Sequence, residues 1–113
     1  MIDSYEFGRI EINGRLYTGD VIIYPDGEVK APWWRQAGHW LTGADLTALI
    51  ETRPAVIVAG TGASGMMRPA ANLAGLLASH GIELIAMPTD EAVTVYNDLA
   101  AQKKVAGCFH LTC

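Results

Sequence analysis

A chain of 113 residues, half of them hydrophobic and only 18% charged, has the size and composition of one globular domain and not of a disordered or coiled-coil segment. Its net charge of −4 and scattered cations exclude general nucleic-acid binding, which needs a basic stripe to displace phosphate counterions. No apolar run approaches the roughly 20 residues that span a bilayer, and no basic-then-apolar leader opens the chain, so the cytoplasm is the expected compartment.

The first thirty residues have β-type patterning. Tyr5, Phe7, Ile10 and Ile12 lead to Asn13-Gly14, a strong short hairpin signal, after which Leu16 and Tyr17 resume. Val21-Ile22-Ile23-Tyr24 then runs into Pro25-Asp26-Gly27, where proline presets a turn and glycine supplies its left-handed position. The pattern predicts an antiparallel meander over residues 1–30. From 31 to 41 there is no clear period, and all three tryptophans fall here, at Trp33, Trp34 and Trp40. Thr42 followed by Asp45 forms a weakened capping box for a short helix whose apolar face is Leu46, Leu49 and Ile50 and which stops before Pro54.

From Ala55 a β-α-β-α-β order is expected. A strand over 55–59 enters the loop Gly60-Thr61-Gly62-Ala63-Ser64-Gly65, and a helix is predicted from about Pro69 to His80 with Leu73, Leu76 and Leu77 facing inward. A strand from Ile82 to Met87 follows. Thr89 or Asp90 is the expected cap of a third helix carrying Val93, Tyr96 and Leu99, and a strand from Val105 to Leu111 closes the order. The fold class read from this pattern is α/β: a three-layer single domain with a mainly parallel central sheet, helices, and an N-terminal antiparallel β-layer.

In open parallel sheets ligands collect beyond the carboxyl ends of the strands. Those ends would gather Thr61, Ser64, Arg68, Thr89, Asp90, His110, Thr112 and Cys113 around the glycine loop, so Gly60, Thr61, Gly62, Ser64, Gly65, Arg68 and Thr89 form a candidate ligand- or anion-binding set. The loop matches G-x-G-x-x-G, but no acidic residue ends the next strand and no second nucleotide-binding half exists, so no cofactor is expected. A P-loop fails for want of the Lys-Ser/Thr pair. His110, Ser64 and Cys113 are the candidate catalytic residues, though Ser64 has one residue too few between its glycines for a nucleophile elbow. Cys108, His110 and Cys113 supply only three local metal donors, and no metal is expected; both cysteines read as reduced thiols. Trp33, Trp34, Arg35 and His39 have two readings, as core and sheet-edge packing or as a recognition surface, where Trp and Arg are over-represented.

Several of these residues together resemble a known family. Ile2-Asp3-Ser4-Tyr5-x-Phe7-Gly8, Trp33-Trp34-Arg35 with His39, Gly60-Thr61-Gly62, Pro88-Thr89 before Glu91-Ala92-Val93, Tyr96-Asn97, and the ending Val105-Ala106-Gly107-x-Phe109-His110-Leu111-Thr112-Cys113 are similar, in order and spacing, to the small domain family that includes the mitochondrial respiratory complex I assembly factor 3 and the adipogenesis-associated domain protein. The resemblance implies a three-layer α/β fold with an added β-layer and no established enzyme activity. In the mitochondrial relative it implies assembly of a membrane-bound respiratory complex. The expectation is therefore a non-catalytic binding or assembly module with a protein partner, self-association being open; the alternative is a small hydrolase or transferase working in the crevice at the strand ends.

Overall fold

The computed structural model describes residues 1–113. The hydrophobic run at the chain's centre becomes a strand buried along its whole length, because apolar side chains on both faces need cover on both sides. This is β7, Val56–Thr61. It pairs in parallel with β9, Glu83–Met87, and with β10, Val105–His110. Val21–Ile23, β4, is likewise buried at every residue; it lies antiparallel to β10, and Val29–Lys30, β5, is antiparallel to β4. The five-stranded sheet thus has the order β5-β4-β10-β7-β9.

This corrects the expected mainly parallel sheet, which is mixed, with two parallel strand pairings and two antiparallel ones. It also divides the expected meander. Ile2–Glu6 (β1), Arg9–Ile12 (β2) and Arg15–Tyr17 (β3) form a separate antiparallel sheet, whereas residues 21–30 join the central one. The physical reason is burial: Val21, Ile22 and Ile23 have no solvent side, so a half-exposed hairpin cannot accommodate them. The Asn13-Gly14 turn forms as read, with φ of 50° and 79° at its two central residues.

Apolar clusters occupy both faces of the central sheet. One joins Ile22, Ile57, Ala59, Ala106 and Cys108 to Trp33, Leu46, Leu49, Leu73 and Leu77. The last four belong to the 3-10 turn Gly43–Leu46, to α1, Thr47–Glu51, and to α2, Leu73–Ser79. The other joins Val21, Val56, Val58, Val105 and Phe109 to Ile2, Ile10 and Ile12 of the small sheet and to Ala92 and Tyr96 of α3, Thr89–Ala100. The alternation of β7 and β10 residues between the two clusters follows from the two-residue period of a strand.

Two local expectations change. Arg68–Pro69 is a short strand, β8, parallel to Trp40–Leu41, β6, so α2 starts at Leu73 and not at Pro69. Arg68 N–H is committed to His39 C=O and Ala70 N–H to Leu41 C=O, which holds this segment extended. The helix after β9 begins at Thr89 behind Pro88, and the Thr89 side chain is turned into the sheet and does not cap it. No helix is long and apolar enough to cross a membrane.

Candidate functional site

The polar residues that meet at the carboxyl end of β10 are centred on Asp20, which stands just before β4. Its Oδ2 accepts from Arg35 Nη1 and from His110 Nδ1, each at 2.8 Å, and its Oδ1 accepts from Leu111 N–H at 2.8 Å. The Arg35 and Asp20 side chains are only 8% and 17% exposed, so this is an inward ion pair that must be hydrogen-bonded throughout to offset its desolvation. Burial alone would raise the Asp20 carboxyl, but the bonds from Arg35, His110 and Leu111 N–H outweigh it and hold the group below its ordinary value of 3.8.

The carboxylate fixes the tautomer of His110. A ring nitrogen 2.8 Å from a carboxylate oxygen has to carry its hydrogen, so Nδ1 donates to Asp20 and Nε2 is the ring nitrogen left over. Nε2 is buried and has no hydrogen-bond partner. Arg35 Nη2 lies 3.2 Å from Nδ1, and the His39 ring meets the His110 ring edge-on with centroids 6.1 Å apart.

The same cluster anchors the tryptophan segment. Trp33 is buried, its backbone N–H donates to Asp20 C=O, and its indole Nε1 donates to Asp45 C=O. The Arg35 guanidinium lies over the Trp33 ring at 5.1 Å, and Arg35 Nε donates to the carbonyl of Gly38. Gln36 N–H donates to the Asp45 carboxylate, whose other oxygen receives the Thr42 N–H and hydroxyl. Residues 33, 35 and 36 are therefore all tied down, while Trp34 between them is 80% exposed and Trp40 is half exposed. Beside Trp34 runs a groove of about 490 Å³, lined among others by Lys30, Pro32, Asp45, Ala48 and Glu51.

The glycine loop is built into the fold through its own backbone. Gly62 N–H donates to Thr89 Oγ1, and that hydroxyl donates to His110 C=O, so Thr89 ties the ends of β7 and β10 together. Ala63 N–H and Met66 N–H donate to the carbonyls of Thr112 and Cys113, and Gly65 N–H to Gly62 C=O. Gly62, at φ +104°, lies so close to the last residues that a Cβ there would stand 2.4 Å from the Cys113 carbonyl carbon. Most of the N–H groups an anion would use are thus engaged internally.

Of the residues expected to converge, Thr61, Thr89 and His110 do: Thr61 is the register partner of His110 across β7 and β10, and all three are buried. Ser64 and Cys113 are exposed, and neither bonds to His110, whose free nitrogen has no partner. Arg68 is exposed on β8 next to Trp40, and Asp90 is exposed on α3. None of the surface cavities is lined by the glycine loop or by His110. No three His, Cys, Asp or Glu side chains are gathered as a metal ion would need, and burial pushes the Cys108 thiol up to about 12, which keeps it protonated.

Sequence reasoning missed Asp20. One signal was there: a lone carboxylate directly before a strand with no polar face has to be paired, since an uncompensated charge beside a core is too costly to keep. It also missed Asn97 as a clamp, whose side-chain amide exchanges hydrogen bonds with both backbone groups of Ile2 and holds β1 against α3.

Solved structures of similar fold come from several organisms. A conserved hypothetical protein of Pyrococcus horikoshii OT3 aligns over 100% of this chain and 99% of its own, with a TM-score of 0.87 and 26% identity. A Xanthomonas campestris protein aligns over 98% of this chain and 83% of its own, with a TM-score of 0.80 and 26% identity. A Bartonella henselae protein described as an outer membrane protein aligns over 99% and 94%, with a TM-score of 0.79 and 25% identity. The family described as a protein of unknown function (DUF498/DUF598) matches residues 2–110, nearly the whole chain, and the protein belongs to that family.

Proposed function

We propose that this chain is a non-catalytic binding module that recognises a protein partner through the tryptophan segment, with Trp34 as the contact residue and Trp33, Arg35 and His39 as its support. The observation that carries this reading is the exposed Trp34 indole between two anchored neighbours. An exposed aromatic on an anchored backbone loses little backbone freedom on binding, and Trp is enriched among binding hot spots. The adjoining groove gives a partner side chain somewhere to go. With the glycine-loop amides largely engaged, recognition is assigned to this surface and not to the loop. The resemblance to the family of complex I assembly factor 3 supports a role in assembling a larger, membrane-associated or respiratory complex from the cytoplasmic side.

Cross-linked affinity capture from the native cell identifies the partner, and calorimetry with the purified partner measures it. Trp34→Ala is expected to weaken binding about 30-fold, as a hot-spot loss of about 2 kcal/mol, while changing stability by no more than about 0.5 kcal/mol. Equal binding by Trp34→Ala and wild type would remove the segment from the interface.

A second reading, a small hydrolase or transferase, is favoured by one observation: His110 has a carboxylate-fixed tautomer and an unpartnered Nε2, the arrangement of a general base. Since Nε2 is buried, substrate access would require a neighbouring segment to move. A broad screen of ester, amide and phosphoester substrates tests it; any activity found should vanish in His110→Ala, and activity that persists when Ser64→Ala and Cys113→Ser are added to that change rules the assignment out.

A further inference from the structure

The two edges of the central sheet are finished differently. At one, β5 has only two residues, ends in Lys30 and is followed within two positions by Pro32, all devices that discourage a further strand. At the other, β9 runs for five residues in unbroken register with β7, with no lysine, proline or bulge within it. Glu83 N–H donates to Ala55 C=O, so residues 83, 85 and 87 turn their amides toward β7, and Leu84 and Ala86 present theirs outward. Ala86 is exposed and Leu84 and Ile85 are only half-buried, although they lie between two apolar clusters.

We propose that the open edge of β9 accepts an extended segment of a partner protein, carrying Lys or Arg at its ends, as a sixth strand of the sheet. The backbone requirement comes from the outward amides of Leu84 and Ala86, which only another strand satisfies in regular register. The charge requirement comes from what flanks the edge: exposed Glu83 at its start, and exposed Asp90 and Glu91 just past its end. Asp90 and Glu91 line a shallow depression of about 490 Å³ with Met87, Thr94 and Val95, where an apolar side chain and the stem of a basic one both fit. A second copy of this chain suits the edge poorly. Antiparallel pairing of β9 with itself through Leu84 and Ala86 would set each Glu83 beside the partner copy's Met87 and its following carboxylates, in two chains that each already carry −4. This surface is the opposite edge from β5, so it is independent of the tryptophan segment.

The test uses a labelled seven-residue peptide, Lys-Val-Thr-Val-Thr-Val-Lys, blocked at both ends so that it fits in either direction. Fluorescence anisotropy should show saturable binding, about fivefold weaker for the double variant Asp90→Asn, Glu91→Gln and weaker again in high salt. Amide exchange by NMR should show Leu84 and Ala86 protected at saturation, with Ile85 unchanged. A peptide N-methylated at alternate amides should not bind. The proposal is overturned by no binding up to about 1 mM, by binding that leaves the Leu84 and Ala86 amides unprotected, by equal binding of the methylated peptide, or by the free chain dimerising with those same amides already protected.

Discussion

Asp20→Ala is expected to destabilise the domain by about 3–5 kcal/mol at neutral pH, because it leaves the buried Arg35 guanidinium without its counter-charge and removes the acceptor for Leu111 N–H. Equilibrium urea unfolding measures it. The loss has a direction in pH. The folded-state carboxyl titrates below its ordinary value, so its contribution is complete above the unfolded carboxylate range and fades as pH falls through the folded value. The stability gap between wild type and Asp20→Asn should therefore narrow below about pH 4. A gap that stays constant in acid, or a loss under about 1 kcal/mol for the alanine variant, would mean that the cluster is not what holds the tryptophan segment to the sheet.

Gly62→Ala should cost about 3 kcal/mol, the sum of a positive-φ penalty and the hydrogen bonds lost when the loop separates from the last residues. At φ +104° the three atoms nearest an added Cβ are all backbone, the Cys113 carbonyl carbon and the Thr112 and Cys113 oxygens, none of which can rotate away. Separation would break the Ala63-to-Thr112 and Met66-to-Cys113 bonds together. Gly75→Ala is the matched control: it lies in α2 with nothing within 4 Å of the added carbon, and it should be neutral or stabilising by up to about 1 kcal/mol. If thermal unfolding gave the two variants the same midpoint, the glycine loop could not be the fitted joint described above.

Partner recognition and the internal cluster are mechanically connected. Arg35 serves both: it pairs with Asp20 beneath the sheet's end and holds the backbone on which Trp34 stands. Thr89 does a similar job on the other side, linking Gly62 to His110 through one hydroxyl. The residues flagged as a possible anion site thus include joints of the fold, whose donors are spent on neighbouring chain segments.

The order of elements was legible in the sequence wherever a local rule governs it. Strands β7, β9 and β10 follow from apolar runs, the Asn13-Gly14 and Pro25-Asp26-Gly27 turns from residues that tolerate positive φ, and α3 from its apolar face after Pro88. The parallel relation of those three strands followed from the helices between them. What the sequence could not decide was partnership. Val21-Ile22-Ile23 has the pattern of one more meander strand, and only its antiparallel contact with β10 puts it in the central sheet. Pro69 fits a first helical turn by propensity, yet pairing with Trp40-Leu41 holds it extended, because tertiary hydrogen bonds outweigh a preference worth a fraction of a kcal/mol. Asp20, Arg35 and His110 are separated by up to 90 residues, and no local period links them. Their meeting, and with it the rigid mounting of Trp34, exists only once the sheet has brought the end of β10 beside the start of β4.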